Sequence, residues 1–225
     1  MAGLSTANNG FSIKDCALAV IALGLRAQTL REFRDRVAGV PEACIYHHFW
    51  GRLLRPAFDE PEFNNDFASW ARHGLHDHSL AERLAVIDPT DFADLEALRS
   101  ELVEVLDERL EETDFVASAR PGEEFHFSRS HIVVFDTRRR LSEPRELASV
   151  VPHLSAGSIF YHVIDARRRP PVRIDDFRAW LADFGETYAE LSERLATLDP
   201  YFVSLTQLRR QLADICTAYF EEHGR

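Results

Sequence analysis

Two stretches about 110 residues apart say the same thing. Leu80–Pro89 reads LAERLAVIDP and Leu191–Pro200 reads LSERLATLDP, and other blocks match in the same order. Phe11 pairs with Phe125, Arg31-Glu32 with Arg145-Glu146, and Ile45…His48 with Ile159…His162. Asp66-Phe67…Trp70 pairs with Asp176-Phe177…Trp180, and Leu98-Arg99…Leu102 with Leu208-Arg209…Leu212. The offset is 114 up to His48/His162 and 110 from Asp66/Asp176, so copy one carries four extra residues within Pro56–Asn65. Such length changes fit surface loops, where insertions are tolerated.

A period of this length is that of a small domain and too long for a solenoid repeat. Two copies of one such unit are expected to pack about a pseudo-two-fold axis, as the halves of an isologous dimer do. The expected organisation is a disordered N-terminal tail over residues 1–10, copy one over 11–112, a linker over 113–124 and copy two over 125–222.

Helical periodicity dominates each copy. Thr29 and Ser142 are expected N-caps, each with Glu three or four positions on. In Ile45–Leu54 the apolar residues cover one broad side, and His48, Arg52 and Arg55 lie opposite at i, i+4 and i+7. Asp66 and Asp176 read as N-caps of the next helix, which carries the stripe Phe67, Trp70, Ala71 and Leu75 or Phe177, Trp180, Leu181 and Phe184. A short helix over Leu80–Ile87 stops at Asp88-Pro89, and a last helix carries Leu95, Leu98, Leu102 and Leu106. Phe125-His126-Phe127 and His131–Phe135 read as strands, whereas Ser12–Leu23 reads as a helix ended by Gly24. The expected fold is therefore mainly α: two homologous helical repeats, with a small β element at the start of each.

Composition excludes several function classes. The net charge of −11 argues against nonspecific nucleic-acid binding, which is driven by phosphate neutralisation. The longest apolar stretch, Ala17–Leu23, is too short to span a bilayer. Met1–Gly10 lacks the basic start of a signal peptide. Cys16, Cys44 and Cys216 are odd in number and scattered, which fits a reducing cytoplasm and no disulfide framework. Charge is uneven: Asp88–Glu124 is acidic, and Arg138–Arg140 and Arg167–Arg169 are arginine triplets, read as solvated surface. The chain has 25 Arg and one Lys, which we read as the base composition of a GC-rich bacterial genome.

Three groups of residues carry candidate chemistry. His48 with Asp66, and His162 with Asp176, make either an acid/base pair or a structural bond between helices; because both copies keep the pair, the structural role is favoured. Arg52, Arg55 and Arg169 beside them would suit an anion. Copy one also concentrates histidines: His47, His48, His73, His76 and His78. His73 and His76 have metal-ligand spacing on a helix, but their counterparts in copy two are Asp183 and Glu186, as on a solvated face. Trp70 and Trp180 sit at core spacing and are the third group, candidates to line a pocket. Phosphate-binding glycine loops, nucleophile elbows and HExxH are missing from the sequence.

Two resemblances attach to particular segments. Residues 24–54 resemble the helix-turn-helix of TetR-type repressors through Gly39-Val40 and Ile45-Tyr46-His47-His48-Phe49, although Pro41 and Trp50-Gly51-Arg52 depart from that pattern. The whole chain resembles an internally duplicated prokaryotic family of unknown function. IYHHF, NNDFASWA and LAERLAVIDP in copy one carry that likeness, with SIFYH, DDFRAWL and LDPYF in copy two. It implies no activity and supplies no catalytic residues. The expected function is a non-enzymatic cytoplasmic binding or adaptor protein for a protein or small-molecule partner. Its site is expected at the interface of the copies, near His48, Arg55, His162 and Arg169. The alternatives are a metal-dependent or His/Asp enzyme in copy one, and a TetR-like regulator. Nothing in the sequence names a cofactor or an oligomeric state.

Overall fold

The computed structural model describes residues 10–55, 62–113 and 116–224. Nine of the ten residues expected to form the tail therefore lie outside the described residues. The chain runs β1 (Phe11–Ala27), α1 (Leu30–Gly39), α2 (Glu42–Trp50), α3 (Asp66–His73), α4 (His78–Ala85) and α5 (Leu95–Glu111). It continues with β2 (Phe125–Leu141), α6 (Glu146–Val150), α7 (Ala156–Ile159), α8 (Asp176–Ala182), α9 (Ala189–Ala196) and α10 (Leu205–Glu222). A π-helical turn, Phe160–Ile164, and a 3₁₀ turn, Asp165–Arg168, extend α7.

The expectation of a mainly α, two-repeat fold is overturned. Helices hold 55% of the described residues and strands 17%, with β1 and β2 in one antiparallel two-stranded sheet. Each strand is 17 residues long, far more than a small β element. Ser12–Leu23 is strand, not helix. Phe11 and Ile13 point inward and Ser12 and Lys14 do not, a period of two. β-branched Val20 and Ile21 then follow, half exposed. Gly24 adopts a left-handed φ of 68° within β1, and its counterpart Arg138 one of 61° within β2.

Two compact units divide the chain: Leu18–Ile132, and Val133–Arg225 with the residues through Ala17. The boundary falls inside each strand. Each unit thus combines helices from one half of the sequence with the opening residues of the strand from the other half.

In the Leu18–Ile132 unit, α1 packs on α5 and α3 on α4. Thr29 caps α1 in a capping box with Glu32, as its sequence indicates. The bidentate pair of Arg34 with Asp107, both contacts at 2.7 Å, ties α1 to α5. Buried Arg99 donates to the carbonyl of Val37 at the end of α1. The core gathers around Phe125, which opens β2. Its ring lies 4.9 Å from Phe33, 4.7 Å from Phe127 and 5.6 Å from both Phe67 and Trp70, centroid to centroid. Such pairs add to the area they bury.

In the other unit, α10 packs on α6, α7 and α9, and α8 on α9. Arg209, the counterpart of Arg99, donates to the carbonyl of Leu154. Ser142 is not an N-cap here. α6 begins at Glu146, whose carboxylate accepts from the amides of Ser142 and Glu143. Phe11, which opens β1, sits 5.3 Å from Phe177 and 5.1 Å from Trp180. Phe11 thus fills among α8 side chains the place that Phe125 fills among those of α3.

Phe125 is 5% exposed, so Phe125→Ala is expected to cost about 3–5 kcal/mol by opening a cavity among aromatic rings. Urea unfolding followed by circular dichroism checks this. A loss below about 1 kcal/mol would mean that the strand end does not hold the core.

Candidate functional site

The elements that carry the histidines are short and lack side-chain caps, whereas the helices that carry the partner carboxylates are capped. In the Leu18–Ile132 unit, α2 ends at Trp50 and buries every residue from Cys44 to Trp50. His48, expected on a polar face, is 3% exposed and His47 is 0% exposed. α3 is capped by Asn65, not by Asp66. Asn65 accepts from the amide of Ala68 and donates to the carbonyl of Leu84. Asp66 is therefore the first helical residue, and its carboxylate is free to turn toward His48.

His48 is engaged at both nitrogens. Nδ1 lies 2.9 Å from Asp66 Oδ2, and Nε2 accepts from the main-chain N–H of Ser128 in β2 at 3.1 Å. A main-chain amide only donates, so Nε2 presents its lone pair and Nδ1 carries the proton that Asp66 receives. The second unit repeats this. His162 Nδ1 lies 2.7 Å from Asp176 Oδ2, and Nε2 accepts from the N–H of Lys14 in β1 at 2.9 Å. Here the N-cap is Asp175, which accepts from the amide of Arg178, and Asp176 is again the first helical residue. Burial pushes the Asp175 carboxyl up.

Each clamp forms one wall of a cavity within its own unit. The larger, of about 460 Å³, is also lined by His47, Arg55, Ser69, Trp70, Phe125 and His126. The other, of about 390 Å³, is lined at corresponding positions by Tyr161, Arg169, Ala179, Trp180, Phe11 and Ser12. Trp70 and Trp180 are core residues, 8% and 5% exposed, whose edges reach the cavities. The indole N–H of Trp70 donates to the carbonyl of Glu123.

The arginines differ between the two sites. Arg169 bonds Asp176 at 2.7 Å, donates to the hydroxyl and carbonyl of Tyr161, and lies 4.2 Å over the Tyr161 ring. Arg55 instead bonds Nε2 of His47 at 3.0 Å. Among the described residues, the arginine paired with Asp66 is Arg52, at 3.8 Å. His47 is pushed down to about 4 by burial, then by His48 and Arg55. Its Nδ1 has no partner, and a Cβ on Gly51 would come within 2.7 Å of it. Gly51 is thus what lets the ring sit there.

The histidines expected to bind metal do not form one set. His47, His48 and Asp66 place their ligand atoms within 4.8 Å of one another. A metal ion there would have to break the Asp66 or Ser128 bond of His48. His73 ends α3, reaches the same cavity and pairs with Glu62 at 3.2 Å. His76 lies beyond the helix end at a φ of 56°, exposed, so it shares no helix face with His73. His78 contacts Arg72. Sequence reasoning missed the amides of Ser128 and Lys14, Tyr161, and the cavity residues Ser69 and His126. The pairing of Phe11 with Phe125 was the available signal, since it marks equivalent strand starts.

The helix-turn-helix resemblance does not carry through. A reading helix must expose its face to DNA, and α2 is buried from Cys44 to Trp50.

Long strands, helices and clamped histidines together define an α/β protein. The chain belongs to the family of unknown function DUF5752, which it matches over residues 8–217. It is similar to the solved structure of OrfY from Thermoproteus tenax, at 24% identity and a TM-score of 0.77, over 93% of this chain and 96% of that one. A search of curated proteins finds no match. No helix among the described residues is long and apolar enough to cross a membrane.

Because His47 titrates near 4 in the folded chain and near its ordinary 6.5 unfolded, the unfolded chain takes up more protons between those values. Stability is therefore expected to be full above pH 6.5 and to fall as the pH drops toward 4, by on the order of 3 kcal/mol. His47→Gln is expected to flatten that window in urea unfolding at pH 7 and pH 4.5. An equal decline in both proteins would show that His47 is not its source.

Proposed function

We propose that this is a non-enzymatic binding protein whose ligand site is the cavity beside His48. The observation that carries the reading is the double engagement of His48 and His162. With Nδ1 given to a carboxylate and Nε2 to a strand amide, neither ring has a nitrogen left to move a substrate proton. The clamp then serves as scaffold, and Arg55, Ser69, Trp70 and His126 face a polar, ligand-sized space. The reading includes a reducing, bacterial cytoplasm. Support comes from three unpaired cysteines that are all buried, with burial pushing each thiol up to about 12.

The metal-dependent enzyme remains the second reading, favoured by the convergence of His47, His48 and Asp66. One experiment separates the two. A thermal-shift screen of small polar metabolites is run on the wild type and on Ser69→Phe, which fills the cavity. Elemental mass spectrometry is run on the same untagged protein. Binding predicts a saturable rise in Tm that Ser69→Phe removes, with every ligand recovered intact. Stoichiometric zinc, iron or manganese lost in His47→Gln, or conversion of a bound compound, would overturn the proposal.

A further inference from the structure

The two cavities descend from the same sequence pattern and differ in what their arginine does. Arg169 is consumed internally: its guanidinium meets Asp176, the Tyr161 hydroxyl and the Tyr161 ring. In the other unit the residue at the Tyr161 position is His47, which cannot offer a hydroxyl and accepts one N–H from Arg55. The clamp carboxylate Asp66 is approached instead by Arg52, one turn earlier on the chain. Arg55 has no carboxylate within 4 Å among the described residues and is exposed at the cavity mouth. A guanidinium carries five donors in a planar fork, and here one is used.

Three acidic residues, Asp66, Glu123 and Glu124, line this cavity, and the carboxylates of Asp66 and Glu124 already accept hydrogen bonds. Asp66 accepts from His48. Glu124 accepts from the amide of Gly122, and the main-chain carbonyl of Glu123 takes the Trp70 indole. Glu62 is paired with His73. The unspent donors on the wall are therefore those of Arg55, with Ser69 and His126 alongside.

We infer that the His48-side cavity takes a small organic molecule through an oxyanion, a carboxylate or phosphoryl group received by the fork of Arg55, and that the His162-side cavity does not. The inference rests on that cavity being the ligand site. An oxyanion matches the fork in two parallel hydrogen bonds. His47 accepts one N–H of the guanidinium at 3.0 Å, as a neutral ring. In the other cavity the same position is filled in advance by Asp176.

The test follows the Trp70 indole N–H by proton–nitrogen correlation spectroscopy of the full chain. Inorganic phosphate and malonate are titrated separately at ionic strength held with chloride. Each variant is first matched to the wild type by circular dichroism. A saturable Trp70 shift is expected with at least one probe, weakened tenfold or more in Arg55→Met. Arg31→Met, which removes the same charge from the exposed face of α1, is expected to titrate as wild type. The phosphate and malonate arms tell which oxyanion is preferred. A Trp70 shift unchanged in Arg55→Met, or absent with both probes, overturns the inference. A neutral metabolite that binds and is lost in Ser69→Phe would leave the cavity reading standing while the oxyanion falls. Failure of Ser69→Phe to alter any binding would remove the cavity reading itself.

Discussion

The fold of each unit depends on one imidazole that joins three pieces of backbone. His48 sits on α2, accepts a hydrogen bond from a strand amide of β2 and donates one to the carboxylate of the first residue of α3. His162 does the same from the π-helical turn, with β1 and α8. The strand amides at that point are part-buried, and a buried donor left unpaired costs about 1–3 kcal/mol. A neutral histidine is suited to this place because it accepts on one side and donates on the other. Asparagine and glutamine also do both, but on a shorter or more flexible stem. The carboxylate then fixes which ring nitrogen carries the proton. Removing the imidazole takes a partner from both the amide and the carboxylate, and removing the carboxylate takes one from the ring, so the three are coupled and not additive.

The clamp also decides where the strands go. Phe11 and Phe125 open β1 and β2, and each lies against the ring of a clamped histidine, at 5.0 and 4.7 Å. Ring packing and the amide bond act on the same few strand residues, so the strand end is held by apolar and polar contacts together. The rest of each strand is lightly covered: Val20, Ile21, Val133, Val134 and Phe135 are all more than a third exposed. Burial in the strands is therefore concentrated at their starts, where the clamps are, and at their last residues, Ala27 and Leu141.

Much of the site was legible in the sequence because it is repeated. His48, Asp66 and Trp70 recur as His162, Asp176 and Trp180, and repetition in both copies favours a structural bond over a catalytic one. The structure supplies that bond in both units. What the sequence could not show was its third member, because a main-chain amide has no side-chain signature. The strand pattern was misread in β1 for a related reason. Ala17–Leu23 is uniformly apolar, and periodicity does not separate a strand from a helix in such a run. Alternation also says nothing about which set of helices a strand will join, so each strand start joining the other half's helices was invisible. The caps slipped by one residue because Asn65-Asp66 and Asp175-Asp176 each offer two good capping side chains. Placing the first as cap is what frees the second for the histidine.

The difference between the two sites is the informative part of the duplication. Where both copies keep a residue, as with the His–Asp pair, the fold needs it twice. Where they diverge, the fold tolerates either choice. Tyr161 and His47 are such a divergence, and so are Asp165 and Gly51 beside them. Tyr161 and Asp165 both contact Arg169, the latter at 3.4 Å, and Asp165 also pairs with Arg168 at 3.6 Å, so the arginine is held within its own cluster. His47 and Gly51 do the reverse. The missing side chain at Gly51 admits the imidazole, and the imidazole takes one donor of Arg55, which lines the cavity. A buried histidine held near a pKa of 4 is an unfavourable thing to keep for stability alone, since it weakens the fold as the pH falls. Its one evident use in this unit is to hold an arginine that the other unit spends on itself.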